Sequence, residues 1–174
     1  SSGASGIENL VIDSTGIDAN TILDIEVETS VDGTETLEKL TITGSQDLTI
    51  TNALDFISTV TTATVDASGF TGKLTVDVDD PDGDENTSFT GGTKDDTVDF
   101  GDSLTANDTV NGGDGTDTLK IDTLGATTTL SGLDISEIED LWVQGTAGTA
   151  ITVNTANQTG LETLTFVENG NTSI

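Results

Sequence analysis

The chain contains neither cysteine nor histidine among its 174 residues. Without thiols there is no disulfide framework and no thiolate metal site. Without either residue, the usual zinc centres and the Ser-His-Asp and Cys-His triads are excluded, and so is the commonest general base near neutral pH. Basic residues are scarce: four lysines and no arginine face 32 Asp and Glu, for a formal net charge of −28. Four scattered cations cannot neutralise a phosphate backbone, so nucleic-acid binding is nearly excluded and anionic membrane surfaces are disfavoured. The longest apolar runs are only a few residues, too short to span a bilayer. The opening Ser1-Ser2-Gly3 lacks the basic and apolar regions of a signal peptide, which sets the expectation of an excised or mature portion of something longer.

Proline is nearly absent, with Pro81 alone. High charge with few aromatics is a signature of disorder, but disordered linkers are usually proline-rich, and this chain carries repeated Val, Ile, Leu and Thr alternations that favour strands. A chain of this length can bury about two-thirds of its surface on folding. The charge of −28 opposes compaction by self-repulsion, and bound cations would offset it.

One hexapeptide pattern, apolar-Glu-x-Leu-x-apolar, occurs four times: Ile7-Glu8-Asn9-Leu10-Val11-Ile12, then residues 37–42, 138–143 and 161–166. Weaker relatives begin at Val60 and Asp117, and starts such as 37 to 60 and 138 to 161 are 23 residues apart. That interval is typical of repeat proteins. Second alternating stretches follow at Leu48-Thr49-Ile50, Leu74-Thr75-Val76-Asp77-Val78 and Ile151-Thr152-Val153, across connections such as residues 43–47 and 144–148. Each repeat reads strand, turn, strand, turn. The reading is an all-β chain folded as a β-solenoid, of the parallel β-helix or β-roll kind, in which each rung buries its apolar face on the next. A β-sandwich is the main rival, because evenly spaced short strands also suit it.

Helix is expected at most for a turn or two, at residues 53–58 and 132–139, both poor in helix formers. The clearest composition break is Asp77 to Asn86, read as the end of a first stack. It divides the chain into a β-repeat segment (1–80), a glycine-aspartate segment (81–122) and a second β-repeat segment (123–174) of one continuous module.

Gly112-Gly113-Asp114-Gly115-Thr116-Asp117-Thr118-Leu119-Lys120 matches the nonapeptide Gly-Gly-x-Gly-x-Asp-x-apolar-x at every fixed position. Glycines admit backbone conformations closed to other residues and turn carbonyl oxygens inward, while Asp117 supplies a hard anionic oxygen. Leu119 then points into the core. Calcium suits such a cage because it accepts six to eight oxygens in flexible geometry.

This loop resembles an RTX repeat, from the calcium-binding proteins exported by bacterial type I secretion. The order Val65-Asp66-Ala67-Ser68-Gly69-Phe70-Thr71-Gly72-Lys73-Leu74-Thr75-Val76, followed by Gly91-Gly92-Thr93-Lys94-Asp95-Asp96-Thr97-Val98, is similar to bacterial surface-layer proteins and large secreted adhesins of that type. The resemblance covers roughly residues 60–122. It implies Ca2+ as cofactor and an extracellular, lattice-forming or adhesive role at the bacterial cell surface. Copies of the chain or other surface-layer subunits would be its partners, with cell-surface polysaccharide as a further one. No nucleic acid or membrane insertion is expected.

The chain departs from the family pattern at Lys94, which replaces the third glycine of that repeat, and at Ser103 and Leu104, which stand where glycines would precede Asp108-Thr109-Val110. The triplets at Asp96, Asp108 and Asp117 are 12 and 9 residues apart. In the family an ion sits between successive turns, so these loops imply one to three ions. The candidate metal-binding residues are Gly112, Gly113, Asp114, Gly115 and Asp117, joined by Gly91, Gly92, Asp95, Asp96, Asp99 and Asp108. An ordinary glycine-rich turn is the alternative reading of Gly112 to Lys120, and replacement of the cation by the Lys94 ammonium is the alternative for Gly91 to Asp99.

Asp77, Asp79, Asp80, Asp82 and Asp84 fail the EF-hand order and read better as a solvated acidic loop. Trp142 suits packing better than a sugar platform. Glu8, Glu38, Glu139 and Glu162 recur in register, and a residue repeated in every rung serves the repeat, here as an expected solvent-facing ladder, rather than catalysis. A non-enzymatic structural module is therefore expected, with the tail of a secreted hydrolase or a viral or phage surface-fibre module that binds carbohydrate as the alternative.

Overall fold

The computed structural model describes residues 7–25, 37–54, 56, 62–79, 86–123, 128–130, 133–146, 151–153 and 158–169. Among them every helix or strand is a strand. In chain order these are β1 (Asn9–Ser14), β2 (Asn20–Ile22), β3 (Lys39–Gly44), β4 (Leu48–Ile50) and β5 (Ala63–Phe70). Next come β6 (Leu74–Asp77), β7 (Thr87–Thr90), β8 (Thr97–Asp99), β9 (Thr109–Asn111) and β10 (Thr118–Thr123). The last are β11 (Thr128–Leu130), β12 (Asp134–Ser136), β13 (Asp140–Thr146), β14 (Ile151–Val153) and β15 (Thr163–Asn169).

The chain alternates between two sheets. One has six strands in the order β1-β3-β5-β7-β9-β12, the other has seven in the order β2-β4-β6-β8-β10-β13-β15, and β11 and β14 form a short third sheet. All pairs are parallel. A chain that leaves one sheet, crosses to the other and returns beside its previous strand can make only such pairs. The result is a β-solenoid, not a sandwich of antiparallel hairpins.

Parallel register stacks like on like, which is why the alternating pattern folds this way. Ile22, Ile50, Val76, Val98, Leu119, Leu141 and Leu164 form one inward file across the seven-stranded sheet. Leu10, Leu40, Val65, Phe89, Val110 and Ile135 form its counterpart in the six-stranded sheet. Between the end turns these side chains are buried, each contributing about 1.5–3 kcal/mol. Outward positions carry a second file, Thr21, Thr49, Thr75, Thr97 and Thr118, where β-branched residues suit a pleated surface.

Several expectations are corrected. Within residues 132–139 the chain forms β12, with Ile135 buried, because apolar alternation of period two outweighs weak helical spacing. Of residues 53–58 only Ala53, Leu54 and Phe56 are described, and none is helical. Of the connection expected at 144–148, residues 144–146 are strand, since β13 runs to Thr146, and residues 147–148 lie outside the described set. The break at Asp77 to Asn86 does not end a stack, for β5 pairs with β7 and β6 with β8 across it. Asp80, Asp82 and Asp84 lie outside the described residues, as do Val60 and Thr61 of the weaker repeat.

The hexapeptide changes sheets. Its copies at 7–12 and 37–42 lead β1 and β3, while those at 138–143 and 161–166 lead β13 and β15 in the opposite sheet. Glu8, Glu38, Glu139 and Glu162 therefore form two pairs at different corners rather than one ladder. Glu139 is not solvent-facing in the expected sense, for its carboxylate accepts the Asp117 N–H.

Candidate functional site

Two glycine-aspartate turns stack at one corner of the solenoid. Residues 91–96 join β7 to β8, and residues 112–117 join β9 to β10 directly beside them. Glycine is required at this corner by close approach. A Cβ on Gly91 would run into the Gly112 carbonyl, and one on Gly112 into the Glu137 carbonyl and the Asp117 carboxylate. Gly113 also holds a positive φ of 95°, open mainly to glycine.

Carboxylates hold the turns together. Asp96 Oδ1 accepts the Leu74 N–H from the preceding turn at 2.7 Å, and Asp117 Oδ1 accepts the Asp96 N–H at 2.7 Å. Glu139 Oε2 accepts the Asp117 N–H, again at 2.7 Å. Each acidic side chain thus reaches back one turn to a backbone donor at the start of a strand, a charge-assisted bond of the stronger kind. Two exposed residues reach the other way, to the next turn, Asp47 Oδ1 accepting the Lys73 N–H at 2.9 Å and Asp95 Oδ1 the Thr116 N–H at 3.0 Å.

The second oxygens of this file differ. Asp96 Oδ2 accepts the N–H of Gly92 in its own turn at 2.7 Å. The equivalent donor one turn later, Gly113 N–H, instead meets Asn111 Oδ1 at 2.9 Å. Asp117 Oδ2 is left buried with no hydrogen-bond partner, on a residue only 1 % exposed. A buried charge of this kind is costly unless something pairs with it. Burial first, then repulsion from Asp96, Glu139 and Asp95, pushes the Asp117 carboxyl up to about 7 against the pull of the Asp96 N–H. Burial also raises Asp96, although the Gly92 and Leu74 amides and Lys73 pull it down.

The structure does not bring all the candidate residues together. Asp96 and Asp117 stack because they are 21 residues apart, one full turn of the solenoid. Asp108 falls between them, half a turn away, where it opens β9 in the other sheet. Its oxygens accept the Thr87 N–H at 2.6 Å, the Thr105 N–H at 2.6 Å and the Thr105 hydroxyl at 3.0 Å, so it fastens its own corner. Asp114 is exposed, and its N–H donates to the Gly92 carbonyl at 3.0 Å.

Asp99 lies at the far end of β8, about 10 Å along the strand from Asp96. There it sits opposite Asp77 and Lys120, near Asp79, Asp102 and Asp122. Burial and mutual repulsion raise Asp77, Asp79 and Asp122. Trp142 is half-buried beside this group, with Lys120 Nζ 5.8 Å from its ring centroid, a cation–π contact that covers the ring.

Among the described residues, no three acidic side chains converge closely enough to hold an ion by themselves. Any cation at the glycine corner would rely on peptide carbonyls as well as on Asp117. The residues fit a hard cation in kind: every donor is oxygen, one carboxylate oxygen is orphaned, and the glycines let peptide carbonyls approach one another closely. The contributors missed by sequence reading are Glu139 and Asn111. Glu139 was signalled by its 22-residue spacing from Asp117, and Asn111 by standing where Thr90 precedes the earlier glycine pair. No protein-family model, curated protein or solved structure matches the chain.

Proposed function

We propose that this chain is a calcium-stabilised, non-catalytic structural module of an extracellular bacterial surface protein, of the surface-layer or adhesin type. The observation that carries the calcium reading is Asp117 Oδ2, buried and unpartnered in the one turn that matches the full nonapeptide. The charge of −28 supports it, since a bound cation relieves repulsion that otherwise opposes folding. The resemblance of residues 60–122 to RTX-type surface proteins supports the extracellular setting and a role in assembly with other surface subunits.

In this reading Asp117 supplies the anionic oxygen, and carbonyls of the turns around Gly91, Gly92, Gly112 and Gly113 supply the rest. Calcium contributes charge neutralisation and links two turns of the solenoid. Asp96 and Asp108, whose oxygens are engaged by N–H groups, fasten the corners with or without the ion. The unfolded chain has no such site, so the free energy of binding becomes free energy of folding. Affinity on the order of 0.1–1 mM suits an extracellular module.

Calorimetric titration with calcium tests the proposal. About one ion per chain should bind to the wild type and none to Asp117→Asn. Absence of binding by the folded wild type, or equal binding by the variant, would refute it.

A further inference from the structure

The glycine corner carries an Asn-Gly pair, Asn111-Gly112, and Asn169-Gly170 is the other in the chain. Glycine has no side chain to shield its own backbone nitrogen, so that nitrogen can attack the amide carbon of a preceding asparagine. Here the glycine is obligatory, because a Cβ on Gly112 would strike the Glu137 carbonyl and the Asp117 carboxylate. The asparagine is not. Its partners in the neighbouring strands are Thr90 and Ser136, which carry no amide.

The reacting groups are close together but held apart by the sheet. Asn111 Oδ1 accepts the Gly113 N–H at 2.9 Å, a bond that curls the side chain back over its own backbone. The peptide group that joins Asn111 to Gly112 is fixed from both sides. Its carbonyl accepts the Gly91 N–H at 2.8 Å, and its N–H donates to the Ser136 carbonyl at 3.1 Å. Gly112 itself is buried. Attack on the side-chain carbon turns this peptide group, so both bonds must break first.

We infer that Asn111 is a deamidation site gated by the solenoid, silent while β7, β9 and β12 stay paired and reactive when this corner opens. In the open corner the Gly112 nitrogen loses its proton to solvent and bonds to the Asn111 side-chain carbon. The bond from that carbon to Nδ2 breaks, and the nitrogen takes up a proton and leaves as ammonia. Water then opens the cyclic imide at either carbonyl, leaving aspartate or isoaspartate. The net change is uptake of water and loss of ammonia. Aspartate adds a negative charge to the turn in which Asp117 Oδ2 is already buried without a partner. Isoaspartate also threads an extra carbon into the backbone, beside a glycine that has no room even for a Cβ. Both products hinder reclosure, so a transient opening leaves a permanent mark. Local opening, not global unfolding, sets the rate, and no bound cation is required.

Peptide mapping by mass spectrometry, with an isoaspartate assay, tests this on the full wild-type chain aged in mildly alkaline buffer with calcium, chelator or urea. Asn111 should convert readily in urea and at least about tenfold more slowly in the folded chain, the ratio reporting how rarely the corner opens. Asp117→Ala, which removes the bond to the Asp96 N–H, should speed the reaction in the folded chain and leave the rate in urea unchanged. Equal rates at Asn111 in the folded chain and in urea overturn the inference. So does an Asn111 that survives in urea, or a folded Asp117→Ala that reacts no faster than the wild type. If that variant does not fold, the wild-type comparison decides alone. Equal rates in calcium and chelator, both far below that in urea, uphold the gate and count against the calcium reading instead.

Discussion

Asp117 accepts the backbone N–H of Asp96 through one carboxylate oxygen, at 2.7 Å, and leaves its other oxygen buried without a partner. The turn before it solves the same problem differently, Asp96 taking the Gly92 N–H. The difference traces to Asn111, which captures the equivalent Gly113 N–H. Replacing Asn111 with Thr, the residue at the matching position 90, frees that donor for Asp117. In chelator the variant should be more stable than the wild type by about 1 kcal/mol, and it should respond less to calcium. Urea denaturation with and without chelator measures both effects.

Asp117 itself separates the staple from the charge. Asp117→Ala removes the acceptor of a buried N–H and should cost about 1–3 kcal/mol in any buffer. Asp117→Asn keeps an acceptor while removing a buried charge. It should match or exceed the wild type in chelator and fall below it in calcium. Equal stability of the two variants would contradict the staple.

The dependence on pH follows in sign from the same residue. Its carboxyl is raised from 3.8 to about 7, chiefly by burial. Between those values the folded chain holds a proton that the unfolded chain has lost, so protonation favours folding. The stabilisation is complete below about pH 4 and disappears as pH rises through about 7. In chelator, stability should therefore fall by roughly 2–4 kcal/mol across that window. With saturating calcium the fall should be shallower, because an ion then occupies the place of the proton. A chemical-denaturation series in pH, run in both buffers, reads the difference.

Glu137 has a φ of 49°, a left-handed conformation that costs a residue with a Cβ about 1–2 kcal/mol. One repeat later the same place, just before the hexapeptide, is held by Gly160 with a φ of 99°. Glu137→Gly should raise the melting temperature, and a decrease would show that the exposed Glu137 side chain serves a purpose beyond the turn.

The solenoid was legible because its strongest signal is local. Alternating Thr with Val, Leu or Ile specifies strands, and a repeat of about 23 residues specifies stacking of each turn on the next. What the pattern does not encode is which sheet a given strand joins. The hexapeptide leads β1 and β3 in one sheet but β13 and β15 in the other, and nothing within those six residues marks the change. The same limit misplaced Asp108. Its Asp-Thr-Val triplet resembles those at 96 and 117, yet spacings of 12 and 9 add to one turn of 21, so only the outer two stack. The orphaned oxygen of Asp117 was less legible still, because it depends on one amide choosing Asn111 over a carboxylate.

Thermal melting in calcium and in chelator tests the central claim most directly. With about 10 mM calcium and a dissociation constant of roughly 0.1–1 mM, one site contributes about 1.4–2.7 kcal/mol. In a chain of this size, that is a rise in melting temperature of roughly 3–10 °C, and Asp117→Asn should abolish it. Superimposable wild-type curves in the two buffers would contradict the account.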